Sequence, residues 1–137
     1  MLHVTQANAQ VAHDKLFAPW VKQLGLCDFE VRDGFVAATL PTKPELQFAG
    51  AIVCGQAIMS AIDTVVSMAM MTTERPTKGT VYQHTHFLRP AAAESFRVEV
   101  RVLRFGKATA FAEARVTNPA GDLVAPYRTP AMIRGQP

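Results

Sequence analysis

Asp63 is the single charged side chain among the 28 residues from Leu46 to Thr73. A carboxylate buried without a partner costs several kcal/mol, so its presence in an apolar run needs a reason. One reason is structural: the group hydrogen-bonds a neighbouring backbone or faces solvent at an edge. The other is chemical: a carboxylate held in a half-apolar pocket acts as general base or nucleophile. Two helical turns upstream, Gly55-Gln56 opens the same predicted helix. A helix start presents unpaired N–H groups, and glycine lets a substrate approach the backbone closely. Such a donor can hold a developing oxyanion. A backbone donor and a carboxylate together suffice to hydrolyse an activated acyl group.

Other candidates are weaker. Cys54 is a nucleophile only if a helix N-terminus stabilises its thiolate, and no partner His is identifiable. A small residue at a tight helix start accounts for it better. His84 and His86 share one face of a predicted strand, but nothing near them has metal-ligand spacing, so no metal site is expected. The chain has no G-x-S-x-G, P-loop, G-x-G-x-x-G or C-x-x-C. Cys27 and Cys54 cannot build a disulfide framework and read as reduced thiols. The polar opening MLHVTQANAQVAHDK lacks the apolar region of a secretory signal. A cytoplasmic protein is therefore expected.

These groups must be positioned by the surrounding elements. Residues 6–24 predict an amphipathic helix with Val11, Leu16, Trp20 and Leu24 on one stripe, kinked or ended at Pro19. LCDFEVRDGFVAATLP predicts a hairpin turning at Asp33-Gly34. Residues 41–48 read as a loop. Residues 55–73 predict a helix about 28 Å long, apolar nearly all round. Gln56, Ser60, Asp63, Thr64 and Ser67 interrupt it, so it reads as a buried helix and not a membrane span. Four strands follow: KGTVYQHTHFLRP over 78–90, then 95–104, 108–117 and DLVAPYRTPAMIR. In the second, Phe96, Val98, Val100 and Val102 alternate with Arg97, Glu99 and Arg101. In the third, Ala108, Ala110, Ala112 and Ala114 share a face that would accept something bulky. The order predicts one α+β domain over 1–137, with an antiparallel meander curled around one long helix.

The charge is uneven. Net charges of −1, −2 and +6 fall on residues 1–41, 42–74 and 75–137, and Arg dominates the last segment. An ordinary solvated sheet surface explains this, as does a site for a polyanionic ligand such as a nucleotide. The basic residues are spread along alternating strands without a nucleic-acid motif, so nucleic acid is not the expected partner.

CGQAIMSAIDTVVSMAM, then GTVYQHTHFLRPA, then RVLRFGKATAFAEARVTNPAGDLVA resembles the hotdog-fold acyl-CoA thioesterases. The phenylacetate-degradation (PaaI-like) branch is the most similar, over about residues 30–134. The family motif is His-Gly-Gly, six residues and Asp on the central helix. A Thr- or Ser-led strand ending in F-L-R-P and a Gly-Lys or Gly-Arg turn follow. The resemblance implies a hotdog fold, a long central helix wrapped by a curved antiparallel sheet. It implies that Asp63 is the catalytic carboxylate, that the Gly55 N–H polarises the thioester carbonyl, and that Thr80 helps position water. Cys54 stands where the family has His, Gln56 where it has a second Gly, and Phe48 where it often has Asn. The Gln56 side-chain amide is a substitute polar group.

The family's substrate carries coenzyme A, whose phosphates suit Arg and Lys. Arg89, Arg104 and Lys107 are the candidate contacts at predicted strand ends. No separate cofactor is implied. The resemblance further implies a homodimer or homotetramer with sites at subunit interfaces, and Val98, Val100 and Val102 offer one surface. The expected function is acyl-CoA hydrolysis. The alternative is a binding protein that kept the fold and lost turnover. A hydratase of this fold needs a catalytic His on the central helix, which has none.

Overall fold

A computed structural model of the chain describes residues 2–49, 51–75, 77–92, 94–126 and 133–135. Two short helices come first, α1 (Ala9–Leu16) and α2 (Pro19–Lys22). The hairpin β1 (Cys27–Arg32) and β2 (Phe35–Leu40) follows. A 3-10 turn at Pro44–Leu46 leads into a small hairpin, β3 (Gln47–Phe48) and β4 (Ile52–Val53). Helix α3 spans Gly55–Met70. Then come β5 (Thr77–Thr80), β6 (Phe96–Phe105), β7 (Thr109–Thr117), β8 (Leu123–Pro126) and β9 (Ile133–Gly135). Seven strands form one antiparallel sheet in the order β1-β2-β6-β7-β9-β5, with β8 also paired to β7.

Helix α3 carries the core. Its face of Ile58, Ala61, Ile62, Val65, Met68 and Ala69 is fully buried, chiefly against β6 and β2. The alternation expected in β6 holds: Phe96, Val98 and Val100 are buried, and Glu99 and Arg101 face out. That places Val98 and Val100 beneath the helix, so they are not the free surface expected for subunit pairing. Ala110, Ala112 and Ala114 of β7 are buried as expected. Ala108 lies instead in the exposed turn before β7, and α3 contacts β7 less than β6 or β2.

The helix stops at Met70, short of the expected residue 73, because two threonines satisfy its last carbonyls. Thr72 Oγ1 donates to the Ala69 carbonyl at 2.7 Å, and Thr73 Oγ1 to that of Met70 at 3.0 Å. Thr72 Oγ1 also accepts the Gly34 N–H at 2.8 Å. This pins the helix end to the β1–β2 turn, where Gly34 takes φ +68° and Arg32 faces Phe35 across the predicted two-residue loop.

The N-terminal segment departs most from expectation. The single helix over 6–24 is two helices, because Ala18 is extended before Pro19 (φ −60°, ψ 153°). The break also destroys the predicted stripe. Val11 is 54% exposed and Trp20 61%, and only Leu24 of the four is buried. Helix α1 buries small Ala9 and Ala12 with His13, whose ring meets Phe17 and Phe29 at 5.5 Å. The His13 ring also hydrogen-bonds Asp14 at 3.0 Å, which holds that carboxyl below its usual value.

Two further expectations change. The strand predicted over 78–90 keeps strand pairing only to Thr80. The strands after α3 are not a simple meander, because β5 pairs with β9 at the sheet edge and not with β6. Of the last predicted strand, β8 and β9 are formed, and residues 127–132 lie outside the described residues. No helix among the described residues is long and apolar enough to cross a membrane.

Ile62→Ala should lower the urea unfolding free energy by about 2–5 kcal/mol, since it opens a cavity between α3 and the sheet. Val11→Ala, on the exposed side of α1, should change it by less than about 0.5 kcal/mol. Equal losses in the two variants would show that α1 is packed the other way round.

Candidate active site

The strip of α3 that escapes burial carries Asp63. Gln56, Met59 and Asp63 are exposed and Ser60 and Ser67 half-buried, spaced so that they share one side of the helix. Asp63 therefore faces outward, not into the half-apolar pocket expected for it. Thr80, at the end of β5, donates its hydroxyl to Asp63 Oδ1 at 2.7 Å. The sequence could nominate both residues but not place them together, because 17 positions separate them.

From Thr80 the chain runs back along α3 toward the helix start. Gln83 Nε2 donates to the Met59 carbonyl at 3.4 Å, and the Phe87 ring covers Gly55. A β-carbon at Gly55 would stand 3.2 Å from Phe87 Cζ. Seven extended residues would span about 23 Å. The eight helical steps from Gly55 to Asp63 rise only about 12 Å. A straight strand over the whole of 78–90 does not fit this path, which is why regular pairing ends at Thr80.

At the helix start Cys54 is the N-cap residue, and its side chain caps nothing. The carbonyl of Cys54 accepts from the Ala57 and Ile58 N–H groups. The N–H groups of Gly55 and Gln56 precede the first bond of the helix and remain available to a bound oxygen. The Cys54 N–H donates to the Leu46 carbonyl at 2.8 Å, and the Val53 N–H to that of Ala91 at 2.8 Å. These bonds fix the helix start between the 3-10 turn and the segment around Ala91.

Among the described residues, two cavities flank this point. A groove of 820 Å³ lies toward α2 and takes Cys54, Gln56, Ala57 and Ser60 from the helix side. A smaller cavity of 360 Å³ lies on the other side, lined by Gly55, Ile58, Phe87 and Arg89. Within one chain the three candidate basic residues lie apart. Arg89 borders the smaller cavity and pairs with Asp122 at 3.5 Å. Arg104 and Lys107 lie at the far end of β6, beside the turn where Arg75 Nη1 donates to the Gly106 carbonyl at 3.0 Å. Ten residues of extended β6 put about 30 Å between the two ends of that strand. His84 stacks edge-on against Tyr82 at 5.5 Å. No group of three His, Cys, Asp or Glu side chains is placed to share a metal among the described residues. The sequence does not disclose the contact of Phe87 with Gly55, although F-L-R-P is visible, nor the groove beside Trp20, because helical phase places Trp20 on the apolar stripe.

A long helix laid on an antiparallel sheet, with a carboxylate on its outer strip and a glycine at its start, is the hotdog architecture. The chain belongs to the thioesterase superfamily, which its residues 50–125 match. Among curated proteins, no sequence matches the chain. Solved structures share its fold. A conserved protein from Pseudomonas aeruginosa is 23% identical, with TM-score 0.79, covering 91% of this chain and 99% of that one. The PaaI protein of the E. coli phenylacetic acid degradation operon is 21% identical, with TM-score 0.76, covering 94% and 88%. A Streptococcus pneumoniae protein described as a hypothetical thioesterase, solved with coenzyme A, is 14% identical, with TM-score 0.73, covering 80% and 84%.

Burial pushes the Cys27 thiol up, and the neighbouring Asp28 charge pushes it the same way. The thiolate is the reactive form, so iodoacetamide should modify Cys27 slowly at neutral pH. Its rate should rise only above the ordinary thiol range of about 8.5. Half-maximal modification below that value would contradict the placement of Cys27 beside Asp28.

Proposed function

We propose that the chain is an acyl-CoA thioesterase. The observation that carries this reading is the 2.7 Å hydrogen bond from Thr80 to Asp63 on the outer strip of the helix whose first N–H groups belong to Gly55 and Gln56. Membership of the thioesterase superfamily supports it, as does the coenzyme A bound by the similar S. pneumoniae protein.

The thioester carbonyl oxygen rests on the Gly55 N–H, where the charge of the tetrahedral intermediate develops. Thr80 spends its single donor on Asp63, which leaves its lone pairs to accept from a water. Asp63 takes a proton from that water as it attacks the carbonyl carbon. The C–S bond then breaks and the thiolate leaves, taking up a proton, to give the free acid and the coenzyme A thiol. Direct attack by Asp63 would pass through an anhydride and give the same products. The Gln56 side chain, at the helix start, supplies an amide that can orient the reactants. Arg89 is the one of the three basic candidates next to the helix start, so we assign it to the coenzyme A arm. Arg104 and Lys107 lie too far away to share that role on the same chain.

We also propose that the site is shared between two copies. About 12 Å of helix separates Gly55 from Asp63, and neither cavity at the helix start includes Asp63 in its wall. Val81, Tyr82, Phe87 and Leu88 are exposed on a segment running past both groups. Pairing of this segment with its copy covers an apolar strip and brings one copy's Asp63 toward the other's Gly55. A cytoplasmic location remains part of the proposal, resting on the reduced thiols.

One feature favours the second reading, a binding protein without turnover. Phe48 is 70% exposed where the family often has Asn, and Cys54 caps nothing where it has His. Hydrolysis decides between the readings. Free thiol release from a panel of acyl-CoA esters should be measurable with the purified protein. Asp63→Asn should lower kcat/KM by roughly 10²-fold or more, and Thr80→Val by about tenfold. Undiminished activity in Asp63→Asn rejects the role of Asp63. Binding without hydrolysis of any ester favours the second reading.

A further inference from the structure

The 820 Å³ groove beside the helix start shares Gln56 with the chemistry above, and the rest of its lining has no part in it. Its walls come from α2 (Trp20), the adjoining Gln23 and Leu24, the 3-10 turn region (Lys43, Glu45, Leu46) and the first turns of α3. Two contacts hold the walls in place. The Cys54 N–H ties the helix start to Leu46, and Lys43 Nζ donates to the Gln23 carbonyl at 3.1 Å. Trp20 exposes most of its ring here, which is unusual for so large an apolar surface. Pro19 at the start of α2 sets the helix that presents it.

We propose that this groove receives the acyl group, and that Trp20 makes the protein select bulky apolar acyl groups over acetyl. The inference rests on the thioesterase reading and names its substrate class. Position supports it first. Gln56 and Ala57 follow Gly55 directly, so an acyl carbonyl held at the helix start has its substituent at the groove mouth. Ser60 carries the groove a further turn along α3. Size supports it second. Pockets of about 300–1,000 Å³ enclose drug-sized ligands, and acetyl would leave most of this one unfilled. Chemistry supports it third. Trp20, Leu24, Leu46 and Ala57 are apolar, and a flat indole face receives either an aromatic ring or an alkyl chain.

Trp20 is the only tryptophan in the chain, so its fluorescence reports directly on the groove. Thioether analogues of octanoyl-CoA and 3-phenylpropanoyl-CoA, which cannot be hydrolysed, should shift its emission and saturate. Free coenzyme A at the same concentrations should not. The two analogues separate an aliphatic from an aromatic preference, and a response to either supports the proposal. In hydrolysis, Trp20→Ala should lower the octanoyl-to-acetyl or phenylpropanoyl-to-acetyl ratio of kcat/KM by about tenfold or more. Val11→Ala, outside the groove, should leave the ratio unchanged. Trp20 is exposed, so a thermal melt should show Trp20→Ala still folded. Should that variant fail to fold, Ser60→Phe, which fills the groove from the α3 side, should lower the same ratio. An unchanged ratio in a folded groove variant overturns the proposal, as does an equal emission shift with coenzyme A alone. If no ester is hydrolysed but the analogues still shift Trp20 selectively, the groove assignment stands and the thioesterase reading falls.

Discussion

Everything in this fold depends on covering α3. The helix is apolar on most of its circumference, with a 16-residue length of about 24 Å. A helix of that kind is stable only when packed, and the sheet provides the packing through Val98 and Val100 of β6 and the inner residues of β2. Burying one face fixes the other. The strip from Gln56 through Ser60 and Asp63 to Ser67 is what remains, and it is the only part of the helix where a carboxylate avoids the cost of desolvation. The catalytic candidate is thus placed by the same packing that stabilises the core.

The ends of α3 are fixed by different means, and this divides structure from function. At its C-terminal end, side-chain hydroxyls of Thr72 and Thr73 occupy the final carbonyls, and Gly34 is tied in. At its N-terminal end, Cys54 leaves the first donors uncapped, and backbone bonds to Leu46 and Ala91 hold the chain in place instead. The finished end serves the fold. The other end leaves its first N–H groups without a side-chain cap, between cavities of unequal size.

How much of this was legible in the sequence depended on whether the signal was local. Asp33-Gly34, the alternation of β6 and the apolar run of α3 are local patterns, and the hairpin, strand and helix appear as predicted. Asp63, Gly55 and Thr80 were nominated by type and by resemblance, and the structure brings Asp63 and Thr80 into contact. The failures came where an element depends on a distant partner. Residues 81–90 have strand character, yet regular pairing stops at Thr80, and the Leu88 N–H donates to the Val124 carbonyl of β8 without extending a ladder. Trp20 looked like core because the helical phase was carried through Pro19. Arg89, Arg104 and Lys107 looked alike as strand-end cations, yet nearly the whole length of β6 lies between the first and the other two. Phe48, Cys54 and Gln56 differ from the family, and two of them, Cys54 and Gln56, line the larger groove at the helix start.

The central claim is a position: an acyl carbonyl held by the start of α3 in one copy, facing the Asp63 carboxylate on the α3 strip of the second copy. A crystal structure with a ketone analogue of an acyl-CoA, in which a methylene replaces the sulfur, tests it most directly. The account predicts the ketone oxygen at hydrogen-bond distance from the Gly55 N–H, with an Asp63 carboxylate from the second copy facing the carbonyl carbon. A ketone bound away from the helix start, with no Asp63 near it, would contradict the account.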